Sequence, residues 1–281
     1  MQAFELPQSD SPQGRLWDQV QRLESVFRKK NPDLEGKWSR PELAWKTLGK
    51  RASSGDWKQG CLERIRDETI QDIGRDPHFR LGNPCSETAL QQCQLALEFL
   101  EKTGAAFAEE IRIVARQVVL FQATDFYSTS ALYAHGSIWM NPQKHWRTAH
   151  YIDTLLHESG HLILMLTQVE GRILENSFER MRSPLRTDSR PMVGVFHALY
   201  VLDRIYQGLK AYLQIPGIPD REIAEKLSED YRRRFEESWP EFEARAIPTP
   251  RGREILNGLS LRRSLKNPSE TLRPQILGTR Y

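Results

Sequence analysis

The feature that most constrains this chain is an apolar stretch that carries two imidazoles and a carboxylate within five residues. Ile152, Leu155, Leu156, Leu162, Ile163, Met165 and Leu166 surround His157-Glu158-Ser159-Gly160-His161. Apolar residues at these intervals predict a helix over 147–169, closed by Gly171. At a rise of about 1.5 Å per residue, positions four apart stack on one face, so His157 and His161 can grip a single metal ion. Glu158 points about 100° away around the helix, which suits hydrogen bonding near a metal or proton handling better than ligation. An imidazole on an apolar helix needs a partner, because a buried polar group without one is costly; a metal is one such partner.

Two histidines do not complete a site. His150 lies about 10.5 Å along the helix axis from His157 and cannot share its ion. His145 falls in a proline-containing loop and His78 in an Asp-Pro-His turn, while His135 is available only from a turn. His197 stands out, because it sits in the apolar run Pro191-Met192-Val193-Gly194-Val195-Phe196-His197-Ala198-Leu199-Tyr200. A helix is expected there over 191–213, with Asp188 or Ser189 near its cap and Pro191 at or near its first position. Gly194 and Val201 share the face of His197, and the glycine would let another helix or a ligand approach. The alternative for His197 is a buried imidazole satisfied by a backbone carbonyl. Glu170, Glu175 and Glu179 are carboxylate competitors for the third position, since some zinc peptidases use a downstream Glu. The polar surroundings of Glu175 and Glu179 rank these carboxylates second.

The rest of the chain bounds the answer. A length of 281 residues fits one large domain or a core with helical appendages, and we read 1–105 as an N-terminal helical region and 106–281 as the metal-binding part. Forty basic residues against thirty-seven acidic give only +3, which leaves no global footprint for nucleic acid. From Arg251 onward seven Lys/Arg and two Glu make a basic tail, expected to be solvated. Cys61, Cys85 and Cys93 are odd in number and lack a CxxC spacing, so they read as reduced thiols. No basic-then-apolar signal opens the chain and no apolar run approaches the ~20 residues of a membrane span, so a soluble, cytoplasmic protein is expected.

Helices are expected over 16–29 with a stop at Asn31-Pro32-Asp33, over 41–50, over 60–74, and over 86–102 with Ser86 as cap and Gly104 just past the end. Two more are expected over 220–237 and around 252–260. The β-branched runs Ile111–Val114 and Val118–Phe121 read as strands, and 127–141 has strand and turn character, with His135-Gly136 as the turn. An extended segment just before the helix at 147–169 could offer an edge to a bound peptide.

Taken together, His157-Glu158-Ser159-Gly160-His161, Ser183-Pro184-Leu185-Arg186 and Arg190-Pro191-Met192-Val193-Gly194-Val195-Phe196-His197 resemble a known family. These are the HExxH-domain proteins found with ribosomally made peptides (RiPPs), which act as non-haem iron, α-ketoglutarate-dependent peptide β-hydroxylases. The resemblance spans about 136–204. It implies that His157, His161 and His197 hold Fe(II), that Arg190 and Arg186 anchor the far carboxylate of α-ketoglutarate, and that O2 is the oxidant. A precursor peptide would be the substrate. Bidentate pairing with Arg is the natural way to orient a diacid. Arg190, seven residues before His197, is expected on the same face near the helix start, where free N–H groups also favour an anion. Three neutral imidazoles would leave Fe(II) its full charge for a dianionic cosubstrate to neutralise; the usual site has two histidines and a carboxylate.

The expected fold is mainly α with a small β-sheet, α+β, holding a zincin-like metal helix within a helical domain. Two competing readings use the same residues. One is a zinc metallopeptidase in which Glu158 is the general base for metal-bound water. The other is a peptide-binding partner with a decayed site, which the retained histidines and Glu158 disfavour.

Overall fold

The computed structural model describes residues 11–30, 40, 41, 44, 56–103, 106–259 and 261. The stop at Asn31-Pro32-Asp33, the helix over 41–50 apart from positions 41 and 44, Gly104 and the basic tail beyond 261 lie outside the described residues. Among the described residues the architecture is mainly helical with a small mixed sheet, the expected α+β class. The helices are α1 (Pro12–Lys30), α2 (Trp57–Ile73), α3 (Ser86–Lys102), α4 (Phe107–Val114), α5 (Thr148–Val169), α6 (Met192–Tyr212), α7 (Arg221–Arg245) and α8 (Pro250–Gly258). No helix among the described residues is long and apolar enough to cross a membrane.

The strands are β1 (Arg80–Leu81), β2 (Gln117–Gln122), β3 (Ser128–Thr129) and β4 (Ser137–Met140), in the order β1-β2-β4-β3. β2 and β4 run parallel, with Val119 opposite Trp139, while β1 and β3 flank them antiparallel. A separate hairpin pairs β5 (Arg180–Arg182) with β6 (Ser189–Pro191). The β-branched run Ile111–Val114, expected as a strand, instead closes α4. Its acidic first turn, Glu109 and Glu110, suits a helix N-terminus, and Ala108, Ile111, Ile113 and Val114 bury one side of a helix. Ser86 is the first residue of α3 and not its cap; that place is taken by Cys85, without a side-chain hydrogen bond.

One cluster of buried residues joins Leu16, Val20 and Phe27 of α1 with Cys93 and Leu100 of α3, Ile152 and Leu155 of α5, and Ile205 and Leu209 of α6. A second gathers Val195, Phe196 and Leu199 of α6 with Phe235, Trp239 and Phe242 of α7. The third packs Trp57, Cys61 and Ile65 of α2 against Val119, Phe121 and Trp139 of the sheet. At the N-terminus of α5 the His150 ring closes back on the chain, its Nδ1 accepting from Arg147 N at 3.1 Å. A further N–H of this first turn is met from outside: Asp220 Oδ2 accepts from Ala149 N at 2.7 Å, while Oδ1 accepts from Tyr212 OH at 2.7 Å.

α5 and α6 pack through two glycines, one from each helix. A Cβ on Gly160 would lie 2.9 Å from Val201 Cγ1 and 3.3 Å from Arg204 Cδ, and one on Gly208 would lie 2.1 Å from Leu156 Cδ1. Gly194, expected to be the point of close approach, is instead exposed, with only Arg190 Cβ near it at 3.9 Å. The narrow place is two turns further along α6, at Val201.

His135 presents a different strain. It is fully buried, and neither ring nitrogen has a hydrogen-bond partner. Burial, with the nearby Arg40 charge adding to it, pushes its pKa down to about 3.

Two outcomes are expected. Replacing Gly160 by Ala gains about 1 kcal/mol of helix propensity but meets an overpacking cost of about 1–3 kcal/mol, because Val201 is too short to swing aside. Urea unfolding of Gly160→Ala is therefore expected to show a net loss of up to about 2 kcal/mol, and a variant more stable than the parent would refute close packing at this point. For His135, the folded pKa lies below the unfolded value of about 6.5. Stability is complete above that value and falls with decreasing pH until about 3, as the unfolded chain binds a proton that the folded one refuses. Unfolding midpoints of His135→Leu across this window are expected to fall less steeply than those of the parent.

Candidate functional site

His157 and His161 lie on consecutive turns of α5, half-buried, with their Nε2 atoms 3.1 Å apart. An ion about 2.0–2.1 Å from each nitrogen requires a separation near this value, so the pair has chelating geometry. His197 comes from α6 and stands on the other side of the His161 ring. Its Nδ1 is 3.3 Å from His161 Nδ1, and its Nε2 is 2.7 Å from Gln168 Oε1. The three histidines are thus neighbours without pointing at one centre. Among the described residues no three His, Cys, Asp or Glu donors form a metal-holding group.

The contacts form a chain that assigns protons. Gln168 Oε1 can only accept, so His197 carries its proton on Nε2 and offers a lone pair at Nδ1. His161 then donates from Nδ1, which leaves its Nε2 lone pair facing His157. Burial first, then the two neighbouring imidazoles, holds His161 well below the usual histidine range; burial alone lowers His197 to about 4. Both are neutral at pH 7, the form a metal requires. The donor set therefore suits a divalent transition metal: His157 and His161 already converge through Nε2. For His197 to serve as a third ligand it must release both Gln168 and His161.

Glu158 is turned away from this pair. It is 2% exposed, with Oε1 accepting from Ser128 Oγ at 2.6 Å and Oε2 from Ser130 Oγ at 2.8 Å. Ser130 also reaches the Glu158 backbone carbonyl at 3.2 Å. One carboxylate thereby ties α5 to β3 and the residues after it. Asp153, one turn before His157, accepts from Tyr231 OH at 2.6 Å, and burial raises its carboxyl to about 6 against the lowering effects of Tyr231 and His157. Neither the serines nor Asp153 was among the sequence candidates. The even spacing of Asp153, His157 and His161 was the available signal, since it puts all three on one face.

Arg190 lies in β6, just before α6, and not on the helix itself. Its guanidinium is bidentate to Asp72 of α2, at 2.7 and 2.8 Å, and its Nε is 2.9 Å from Asp188 without hydrogen-bond alignment. Arg186 meets the same two carboxylates, Asp72 at 2.8 Å and Asp188 at 3.0 Å. Two cations and two anions balance. The hydrogen bond from Arg190, followed by the charge of Arg186, outweighs burial and holds the Asp72 carboxyl below its usual range. A cleft of about 870 Å³ opens beside Arg186, between the end of α2, the β5–β6 loop and α7.

The remaining candidates are occupied elsewhere. Glu170 accepts from Gln19 at 2.9 Å and pairs with Arg22 at 2.7 Å and Arg251 at 2.5 Å. Glu175 and Glu179 contribute backbone groups that fix the loop before α6, through Ile247 and Met192.

Changing Ser128 and Ser130 together to Ala strips both hydroxyls from a buried carboxylate. Unfolding of the double variant is expected to show a loss of about 1–3 kcal/mol, the cost of leaving a buried acceptor unsatisfied, and wild-type stability would show that Glu158 is not held there. No protein-family model matches the chain, and no curated protein does.

Proposed function

We propose that this protein is an Fe(II)- and α-ketoglutarate-dependent oxygenase that hydroxylates the β-carbon of a side chain in a ribosomally made peptide. The observation that supports it over hydrolysis is the commitment of Glu158. Both carboxylate oxygens accept serine hydroxyls, while the Nε2 atoms of His157 and His161 stand at chelating distance and Glu158 is not among their partners. A peptidase needs its general base within hydrogen-bond reach of the metal-bound water. An oxygenase does not.

In this reading His157 and His161 hold the metal through Nε2, and His197 is the third donor. The iron, when bound, supplies activation of O2 coupled to oxidative decarboxylation of α-ketoglutarate. The work of the chain is to keep His161 and His197 neutral, to keep Glu158 fixed against β3, and to present Arg190 and Arg186 to a carboxylate. Asp72 now occupies the place that a cosubstrate carboxylate would take on these arginines, so cosubstrate binding exchanges one carboxylate for another. The zincin-like peptidase alternative requires Glu158 to leave both serines.

Anaerobically reconstituted protein is expected to convert α-ketoglutarate to succinate in the presence of Fe(II) and O2, and to add the mass of one oxygen atom to a cognate peptide. His197→Ala is expected to lose iron, measured by metal analysis, while keeping its circular dichroism. Peptide cleavage with zinc and no cosubstrate would establish the peptidase. Failure of the iron-loaded protein to bind or turn over α-ketoglutarate would sink the oxygenase, and full iron content in His197→Ala would restrict His197 to fixing the tautomer of His161.

A further inference from the structure

β3 ends the sheet. One side pairs with β4, through Ser128 opposite Met140 and Thr129 opposite Trp139, and no described strand covers the other. Such an edge carries unpaired main-chain donors and acceptors, which an extended peptide can meet by adding a strand. Ser128 also holds Glu158, the neighbour of His157, so a main chain laid along β3 lies against the helix that carries the histidine pair. Two residues of edge offer few hydrogen bonds, and side-chain contacts must supply the rest of the affinity.

Those contacts are present at one end of the strand. Tyr127, 53% exposed, has its ring 6.5 Å from that of Trp146. Trp146 lies parallel to His150 with centroids 6.0 Å apart, and its edge meets Tyr151 at 5.4 Å, which fixes the indole on the surface. Lys144 and Arg147 are exposed on either side of Trp146 and have no carboxylate partner among the described residues. Arg147 Nη1 donates to the carbonyls of His145 and Trp146 at 3.3 and 3.0 Å, which positions its charge without neutralising it. No acidic residue occurs in sequence between Asp125 and Asp153. Asp125 is paired with Arg75 at 3.1 Å, and Asp220, beneath His150, is buried on Ala149 and Tyr212.

We propose that the open edge of β3, with Tyr127, Lys144, Trp146, Arg147 and His150, is the docking surface for an extended acidic segment of the peptide substrate. The peptide is taken from the proposed function, and the acidic character from the uncompensated cations. The peptide backbone pairs with β3, an acidic side chain lies between Lys144 and Arg147, and the aromatic rings support its apolar neighbours.

The test uses full-length protein without iron or α-ketoglutarate, so that a failed metal site does not affect it. The probe is a fluorescein-labelled hexapeptide of alternating Asp and Val, compared by anisotropy with its Lys–Val counterpart and with a version N-methylated at alternate positions. The acidic peptide is expected to bind, and the other two to bind at least about fivefold more weakly. The Lys144→Ala/Arg147→Ala double variant, whose positions are exposed, is expected to weaken the acidic peptide by about fivefold and to flatten its salt dependence. Equal binding of the acidic and Lys–Val peptides, or indifference to the double variant, overturns the acidic preference. Indifference to N-methylation overturns pairing with β3. A dimer of this chain that the double variant dissolves, with no peptide bound, assigns the surface to a second copy and overturns the proposal. Peptide hydroxylation that proceeds unchanged in the double variant would reject this surface and leave the oxygenase standing.

Discussion

The close approach of α5 and α6 is the constraint on which the site depends. Gly160 lies between the two histidines of α5, and the side chain that fills its missing Cβ is Val201, one turn after His197 on α6. Any side chain at 160 would widen the gap in which His161 and His197 meet. Gly208 repeats the arrangement from the other helix, where Leu156 enters the space. Glycine inside a helix is unfavourable by roughly 1 kcal/mol against alanine, so two such positions at one interface cost about twice that in propensity. Close packing over Val201, Leu156 and the apolar residues around them offsets it.

That approach also explains the protonation pattern. Three imidazoles near one another would repel if charged, and the buried interface between the helices disfavours charge in any case. Burial is the largest cause of the lowering at both His161 and His197. Gln168, two turns along α5 from His161, then selects which nitrogen of His197 carries the proton, and the choice passes through His161 to His157. The helices thus orient lone pairs as well as rings. In the proposed site a metal at His157 and His161 would find one imidazole already in the tautomer that binds it.

Much of this was legible in the sequence, for identifiable reasons. The helix over 147–169 and the one over 191–213 match α5 and α6 to within a residue at each end, because their apolar periodicity is long and uninterrupted. The extended character of 127–141 appears as β3, a turn at His135-Gly136 with Gly136 at φ +96°, and β4. Short apolar runs were less informative: Ile111–Val114 fits strand and helix equally by composition, and the acidic turn before it decided the matter. The close-packing glycines could not be ranked from sequence. Gly160, Gly194 and Gly208 all lie on apolar helices, and which of them meets the neighbour depends on the rotation of one helix about another. The same limit hid Asp72, since a contact across 118 residues leaves no local pattern.

Asp72 bears most directly on how the site is held. It terminates a helix whose other residues pack against the sheet, and it reaches Arg186 and Arg190 on the loop and strand that lead into α6. Each pair is partly exposed, so solvent screening keeps the individual attraction small, on the order of 1 kcal/mol or less. Its effect is geometric. Two guanidinium groups only four residues apart would repel each other, and two carboxylates from different elements bring them together at one place. On the proposed reading, an incoming dicarboxylate would meet arginines already arranged around a carboxylate and would have to compete with one attached to the chain. The affinity of the proposed site for such an anion would then be the difference between two similar interactions, set as much by how firmly α2 is packed on the sheet as by the arginines.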